Sequence, residues 1–245
     1  MIRVAAVGDI HLGKDSQDGV LDGLADVADN ADLLLIAGDL TQHGLRQECR
    51  LLSERLSRIS VPSVVVLGNH DLHQGAEDEI RADLETAGVV VLEGESVVVE
   101  VAGERVGVAG TKGFGGGFAG ACAAEFGEME MKSFIRHTRE IAVRFGESLS
   151  RMDADVKIGL THYAPTDTTL LGERLEIFPF LGSYLLGEAI DGARCHLAIH
   201  GHAHLGVERG TTPGGVPVRN VARPVIQKPY KVYCLTPGST PREGC

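Results

Sequence analysis

The chain has 245 residues, 43% of them hydrophobic, which is enough apolar surface for a substantial core and excludes a disordered polypeptide. Its 34 acidic and 23 basic residues leave a formal charge of -11 with no Lys/Arg run, which disfavours a general affinity for duplex nucleic acid or an anionic membrane. Bound metal cations would reverse that sign locally, so an anionic substrate stays open.

Short apolar runs at 3–7, 33–37 and 63–67 lead into Gly8-Asp9-Ile10-His11, Gly38-Asp39 and Gly68-Asn69-His70-Asp71. Runs this short and rich in Val, Leu and Ile read as strands buried on both faces. Between them, 45–59 places Leu45, Cys49, Leu52, Leu56 and Ile59 on one helical face, and 77–87 reads the same way with Gly88 as a stop. Strand–helix–strand alternation implies parallel pairing, with each polar cluster at the carboxyl end of a strand, where open α/β sheets place ligands.

Runs at 96–101 and 105–109 flank Ala102-Gly103-Glu104 and read as a β-hairpin. From Lys112 to Phe118 the chain carries four glycines, and the stretch reads either as a lid over a substrate or as a flexible connector. Residues 123–152 carry Phe126, Met129, Phe134, Ile141, Phe145 and Leu149 near a 3.6 period, as one long or two shorter helices with a break near Gly127 or Gly146. The run 157–160 then leads to Thr161-His162, and 196–199 to His200-Gly201-His202-Ala203-His204. Between them, Phe178-Pro179-Phe180 reads as core before substrate wall. A β-rich stretch follows at 216–235, and no linker is visible, so 1–245 reads as a single domain.

Cys49, Cys122, Cys195, Cys234 and Cys245 are widely spaced without a CxxC pair and read as reduced thiols. The first apolar run is too short for a signal h-region, and no run approaches the roughly 18 residues of a membrane span, so the cytoplasm is expected.

Asp9 and His11, one residue apart at a strand end, can turn toward one point. Asp39, Asn69, His162, His202 and His204 complete a set of carboxylates, one amide and imidazoles. Hard oxygen plus imidazole donors suit Mn, Fe or Zn. Seven ligands exceed one tetrahedral ion and suit two ions that share a carboxylate. A lone Gly-Asp is usually a turn, and a lone His-x-His is usually surface. Five strand ends closing on ligand-type residues together are a metal site.

As a set, Asp9-Ile10-His11, Gly38-Asp39, Gly68-Asn69-His70-Asp71, Thr161-His162 and Gly201-His202-Ala203-His204 resemble the five blocks of the calcineurin-like metallophosphoesterases. The resemblance implies an α/β fold, a four-layer αββα sandwich of two mixed β-sheets flanked by helices, with a dinuclear site at the sheet edges. It implies that Asp9, His11, Asp39 and His204 hold one metal, and that Asp39 bridges to a second held by Asn69, His162 and His202. The implied reaction is hydrolysis of a phosphomonoester or phosphodiester by a metal-bridging hydroxide, with two divalent or trivalent ions of Mn, Fe or Zn. By the same resemblance His70 protonates the leaving group or stabilises the transition state, and Asp71 beside it is the second catalytic candidate.

Protein phosphatases of this superfamily continue the second block as Gly-Asp-x-x-Asp-Arg-Gly. Here Gln42 stands for the carboxylate and His43 for the arginine, which disfavours protein phosphatase activity. His43 and Lys112 are the candidate substrate contacts, and a small phosphate ester is the expected partner. A nuclease acting on DNA ends would need a basic groove or capping domain. A non-catalytic scaffold would be expected to have lost metal ligands. His73, His137, His196 and His200 are expected to stand outside the site.

Overall fold

A computed structural model describes residues 1–13, 19–236 and 242–243. Its strands in chain order begin with β1 (Ile2–Val7), β2 (Leu33–Ala37), β3 (Ser63–Val66), β4 (Val90–Val91), β5 (Glu95–Val101), β6 (Glu104–Thr111) and β7 (Gly117–Phe118). They continue with β8 (Ala121–Cys122), β9 (Val156–Thr161), β10 (Leu197–His200), β11 (Arg209–Thr211), β12 (Pro217–Asn220), β13 (Lys231–Leu235) and β14 (Arg242–Glu243). One sheet has the order β14-β13-β1-β2-β3-β4 and the other β11-β12-β10-β9-β6-β5. In the first, β1 to β4 pair in parallel, and β13 runs antiparallel to β1. In the second, β6, β9, β10 and β12 are parallel, and the expected hairpin adds β5 antiparallel to β6.

The apolar strand sequences dictate this layering. Leu197 and Ile199 of β10 join a core with β1, β2 and β3, whereas Ala198 between them joins a second cluster with Phe145, Leu149, Leu186 and Ile190 of the covering helices. That alternation puts one face of the second sheet against the first sheet and the other under helices. On the far side, Cys49, Leu52 and Leu56 of the helix Arg46–Leu56 and Ile80 and Leu84 of the helix Glu77–Thr86 pack on the first sheet's cluster. Two mixed sheets flanked by helices result, as expected.

The long amphipathic segment is one helix, Met129–Arg151. It starts just after Gly127, and Gly146 does not interrupt it, because that position packs against Ala189 of the helix Tyr184–Gly192. Phe145 on its inner face is fully buried, worth about 1.5–3 kcal/mol against exposure.

The glycine-rich stretch after β6 is neither lid nor loose connector. Gly113 and Gly115 to Gly117 are buried. Gly116 N–H donates to the Pro179 carbonyl at 2.7 Å, Gly117 N–H to Gly182 at 2.8 Å, and the Thr138 hydroxyl to Gly115 at 2.6 Å. A Cβ at Gly115 would stand 2.3 Å from the Pro179 oxygen, so the glycine is there for close backbone approach. Gly115→Ala is expected to cost roughly 1–3 kcal/mol, read as a lower thermal midpoint. An unchanged midpoint would mean that the loop yields without loss.

Cys49, Cys122 and Cys195 are free thiols, as expected, but Cys234 is disulfide-bonded. Cys245 lies outside the described residues. Among the described residues no helix is long and apolar enough to cross a membrane.

Candidate metal centre

The carboxyl ends of β1, β2 and β3 meet those of β9 and β10. Four residues there adopt left-handed backbone: Asp9 (φ 56), His11 (φ 48), Asp39 (φ 51) and His202 (φ 68). Each is a sparsely populated conformation for a residue with a Cβ, and Asp and His tolerate it better than most. Strain of this kind at three strand ends, those of β1, β2 and β10, turns the side chains inward where an ordinary loop would let them point away. Close packing does the rest. A Cβ at Gly68 would sit 2.1 Å from Asp39 Oδ1, so only glycine lets the third loop reach the second.

Three groups of donor atoms lie within 4.8 Å of one another: Asp9, His11 and His204; Asp39, His162 and His202; and His11, Asp39 and His70. His204 Nε2 is 2.8 Å from Asp9 Oδ1, and Asp9 also accepts the His202 backbone N–H at 2.9 Å. Asp39 lies between the groups, with Oδ2 3.7 Å from His11 Nε2 and Oδ1 3.4 Å from His162 Nε2. His162 Nε2 is 3.0 Å from Asn69 Oδ1. All seven expected ligands are therefore together.

Tautomers follow from the carbonyls behind the rings. His162 Nδ1 lies 2.8 Å from the Ala37 carbonyl and must donate, which turns the Nε2 lone pair inward; His202 Nε2 donates to the Phe180 carbonyl at 3.2 Å, leaving Nδ1 as its acceptor. Burial pushes the His202 pKa down to about 3, so the ring is neutral, as a ligand must be. Burial also lowers His11, against the pull of Asp39 and Asp9. Burial alone would raise Asp9, but the His204 hydrogen bond and the charges of His162 and His204 outweigh it and hold the carboxyl below its ordinary value.

These residues fit a cation. Asp9 and Asp39 are both buried, and among the described residues neither meets a lysine or arginine. His11 Nε2 is buried with no hydrogen-bond partner. An imidazole nitrogen with no hydrogen-bond partner between two buried carboxylates costs free energy unless a positive ion completes it. The model of the calcineurin-like phosphoesterase family matches residues 2–206.

The chain belongs to the calcineurin-like phosphoesterases. Solved structures share the architecture: phosphopantetheinyl hydrolase (PptH) from Mycobacterium tuberculosis is 15% identical with a TM-score of 0.73, covering 98% of each chain. TT1561 of Thermus thermophilus is 15% identical with a TM-score of 0.56, covering 89% of this chain and 88% of that one. At such identities the likeness is one of fold. A search of curated proteins found no match.

Other expected site residues surround these donors. His70 Nδ1 donates to the backbone carbonyl of Gln42 at 2.8 Å, so Gln42 orients the ring through its main chain. Asp71 does not face His70. It is fully buried and accepts from Leu40 N, Thr41 N, the Thr41 hydroxyl and Gly68 N at 2.7–3.2 Å. Burial and the charge of Asp39 raise its pKa. It clamps the loops that carry Asp39 and Asn69 and is a positioning residue.

The two expected substrate contacts differ: Lys112 is buried, and His43 is exposed with its Nδ1 held. Lys112 is 8% exposed, donates to the Gly113 carbonyl at 3.2 Å and lies 5.1 and 5.3 Å from the Phe114 and Tyr163 ring centroids. Burial lowers its pKa. His43 is held by buried Glu48 at 2.9 Å. His200, as expected, points away from His202, into a buried contact with Thr169 at 2.8 Å. The aromatic segment divides: Phe178 packs in a core cluster, while Phe180 is 61% exposed.

Proposed function

We propose that the chain hydrolyses phosphate esters at two metal ions, one held by Asp9, His11, Asp39 and His204, the other by Asp39, Asn69, His162 and His202. The observation that carries this reading is Asp39, whose two carboxylate oxygens face different histidines, His11 and His162. When bound, such ions supply an acidified water and offset the charge that builds on the phosphoryl oxygens. The oxygen and imidazole donors suit Mn, Fe or Zn.

The chain's own residues supply positioning and a proton. The His70 backbone N–H donates to Asp39 Oδ1 at 2.8 Å, and its ring is fixed through Nδ1, so Nε2 is the atom that can hold a proton for the departing ester oxygen. Asp71 keeps the Asp39 and Asn69 loops at a fixed separation, and the carbonyls of Ala37 and Phe180 keep the His162 and His202 rings from turning.

A panel of phosphomonoesters and phosphodiesters, each tested with Mn, Fe and Zn on chelator-stripped protein, tests the reading. The fold shared with a phosphopantetheinyl hydrolase gives a reason to include a phosphopantetheine-bearing diester. Metal-dependent release of alcohol from at least one class is expected. No turnover of any ester with any metal would contradict it.

A further inference from the structure

An open cavity of about 630 Å³ lies beside the candidate metal centre, with Asp9, His11, Gln42, Arg223, Gln227 and Lys228 in its wall. We propose that Arg223 and Lys228 bind a second phosphate group of the substrate, one that is not hydrolysed. The proposal rests on the reading of Asp9 and His11 as metal ligands.

The backbone fixes Arg223 against the ligand loop. Gly8 N–H donates to the Val221 carbonyl at 2.9 Å, and Arg223 N–H donates back to Gly8 at 3.0 Å, one residue before Asp9. Arg223 Nη1 reaches the carbonyl of Ile10, between the two ligands, at 3.4 Å. After the single helical turn Arg223–Ile226, Gln227 takes left-handed backbone (φ 50), and Lys228 follows in the same cavity wall.

Charge gives the second observation. Many arginines on this acidic surface are paired, among them Arg3 with Asp32, Arg46 and Arg50 with Asp83, Arg105 with Asp153, and Arg136 with Glu125. Among the described residues Arg223 and Lys228 meet no carboxylate, and the weak contact to Ile10 leaves most guanidinium donors unused. Two unpaired cations in one cavity beside a phosphate-hydrolysing centre suit a doubly charged oxyanion. Arginine offers its planar fork and lysine a point charge.

The test is calorimetric binding of phenylphosphonate, 3-carboxyphenylphosphonate and 1,3-phenylenebisphosphonate to manganese-loaded protein, beside an assay of phenyl phosphate hydrolysis. The wild type is expected to bind the bisphosphonate about tenfold or more tighter than the monophosphonate, and in Arg223→Ala and Lys228→Ala that ratio falls toward one. Lys228 is exposed, so its variant reads the site even if loss of Arg223 disturbs the fold. A wild-type ratio near one, or a ratio retained in Lys228→Ala and in folded Arg223→Ala, overturns the site. A carboxyphenylphosphonate that binds as tightly as the bisphosphonate overturns its assignment to phosphate. Loss of the preference in the variants of a protein that hydrolyses neither phenyl phosphate nor any other ester of the panel with any metal upholds the anion site and overturns the esterase reading instead.

Discussion

Asp39→Asn is expected to lower phosphoesterase activity roughly a thousandfold or more, with loss of metal from both halves of the centre. Asparagine keeps the left-handed backbone that Asp39 requires (φ 51) and removes only the charge. No other proposed ligand faces both groups, since Asp39 Oδ2 addresses His11 and Oδ1 addresses His162. Without metal, the same change should not destabilise the fold, because it removes a buried carboxylate charge that makes no ion pair with a lysine or arginine within 4 Å among the described residues. Metal content, turnover and the thermal midpoint in chelator read these effects separately. A variant that keeps two ions and near-normal turnover would rule out the shared-carboxylate assignment.

His70→Ala is expected to keep its metal and lose turnover by about 10²–10⁴-fold, the range of general acid catalysis. The loss should shrink for a p-nitrophenyl ester, whose leaving group needs no proton, and be largest for an alkyl ester. His70 also stands within reach of His11 and Asp39, with its ring centroid 4.5 Å from that of His11, so the opposite outcome is specific. Metal loss in His70→Ala would make the residue a ligand. Equal losses on both esters would remove the proton-donor role.

The strands and the candidate ligands are legible in the sequence because both are local patterns. A short Val/Leu/Ile run followed by Gly-Asp or Gly-Asn-His-Asp is read within ten residues, and parallel pairing brings such ends to one edge. What is not legible depends on partners distant in the chain. Asp71 reads as the neighbour of His70, yet its donors at Leu40 and Thr41 come from the loop after β2. The glycines near 115 suggest mobility by composition, and the backbone of 179–182, packed against them, makes them rigid. Lys112 reads as a substrate contact because it opens the glycine-rich stretch, but the end of β6 buries it over two aromatic rings. Arg223 carries no local pattern at all: the bridge between Gly8 and Ala222 alone brings it to Asp9.

Whether two ions in one site make this chain a phosphoesterase is decided by a metal titration of chelator-stripped protein. Hydrolysis of p-nitrophenyl phosphate or of its bis-ester would be followed as manganese is added in known equivalents. No activity is expected without metal, followed by a rise that levels off at two ions per chain. Full activity in the stripped protein, or a plateau at one ion, would contradict the two-ion assignment.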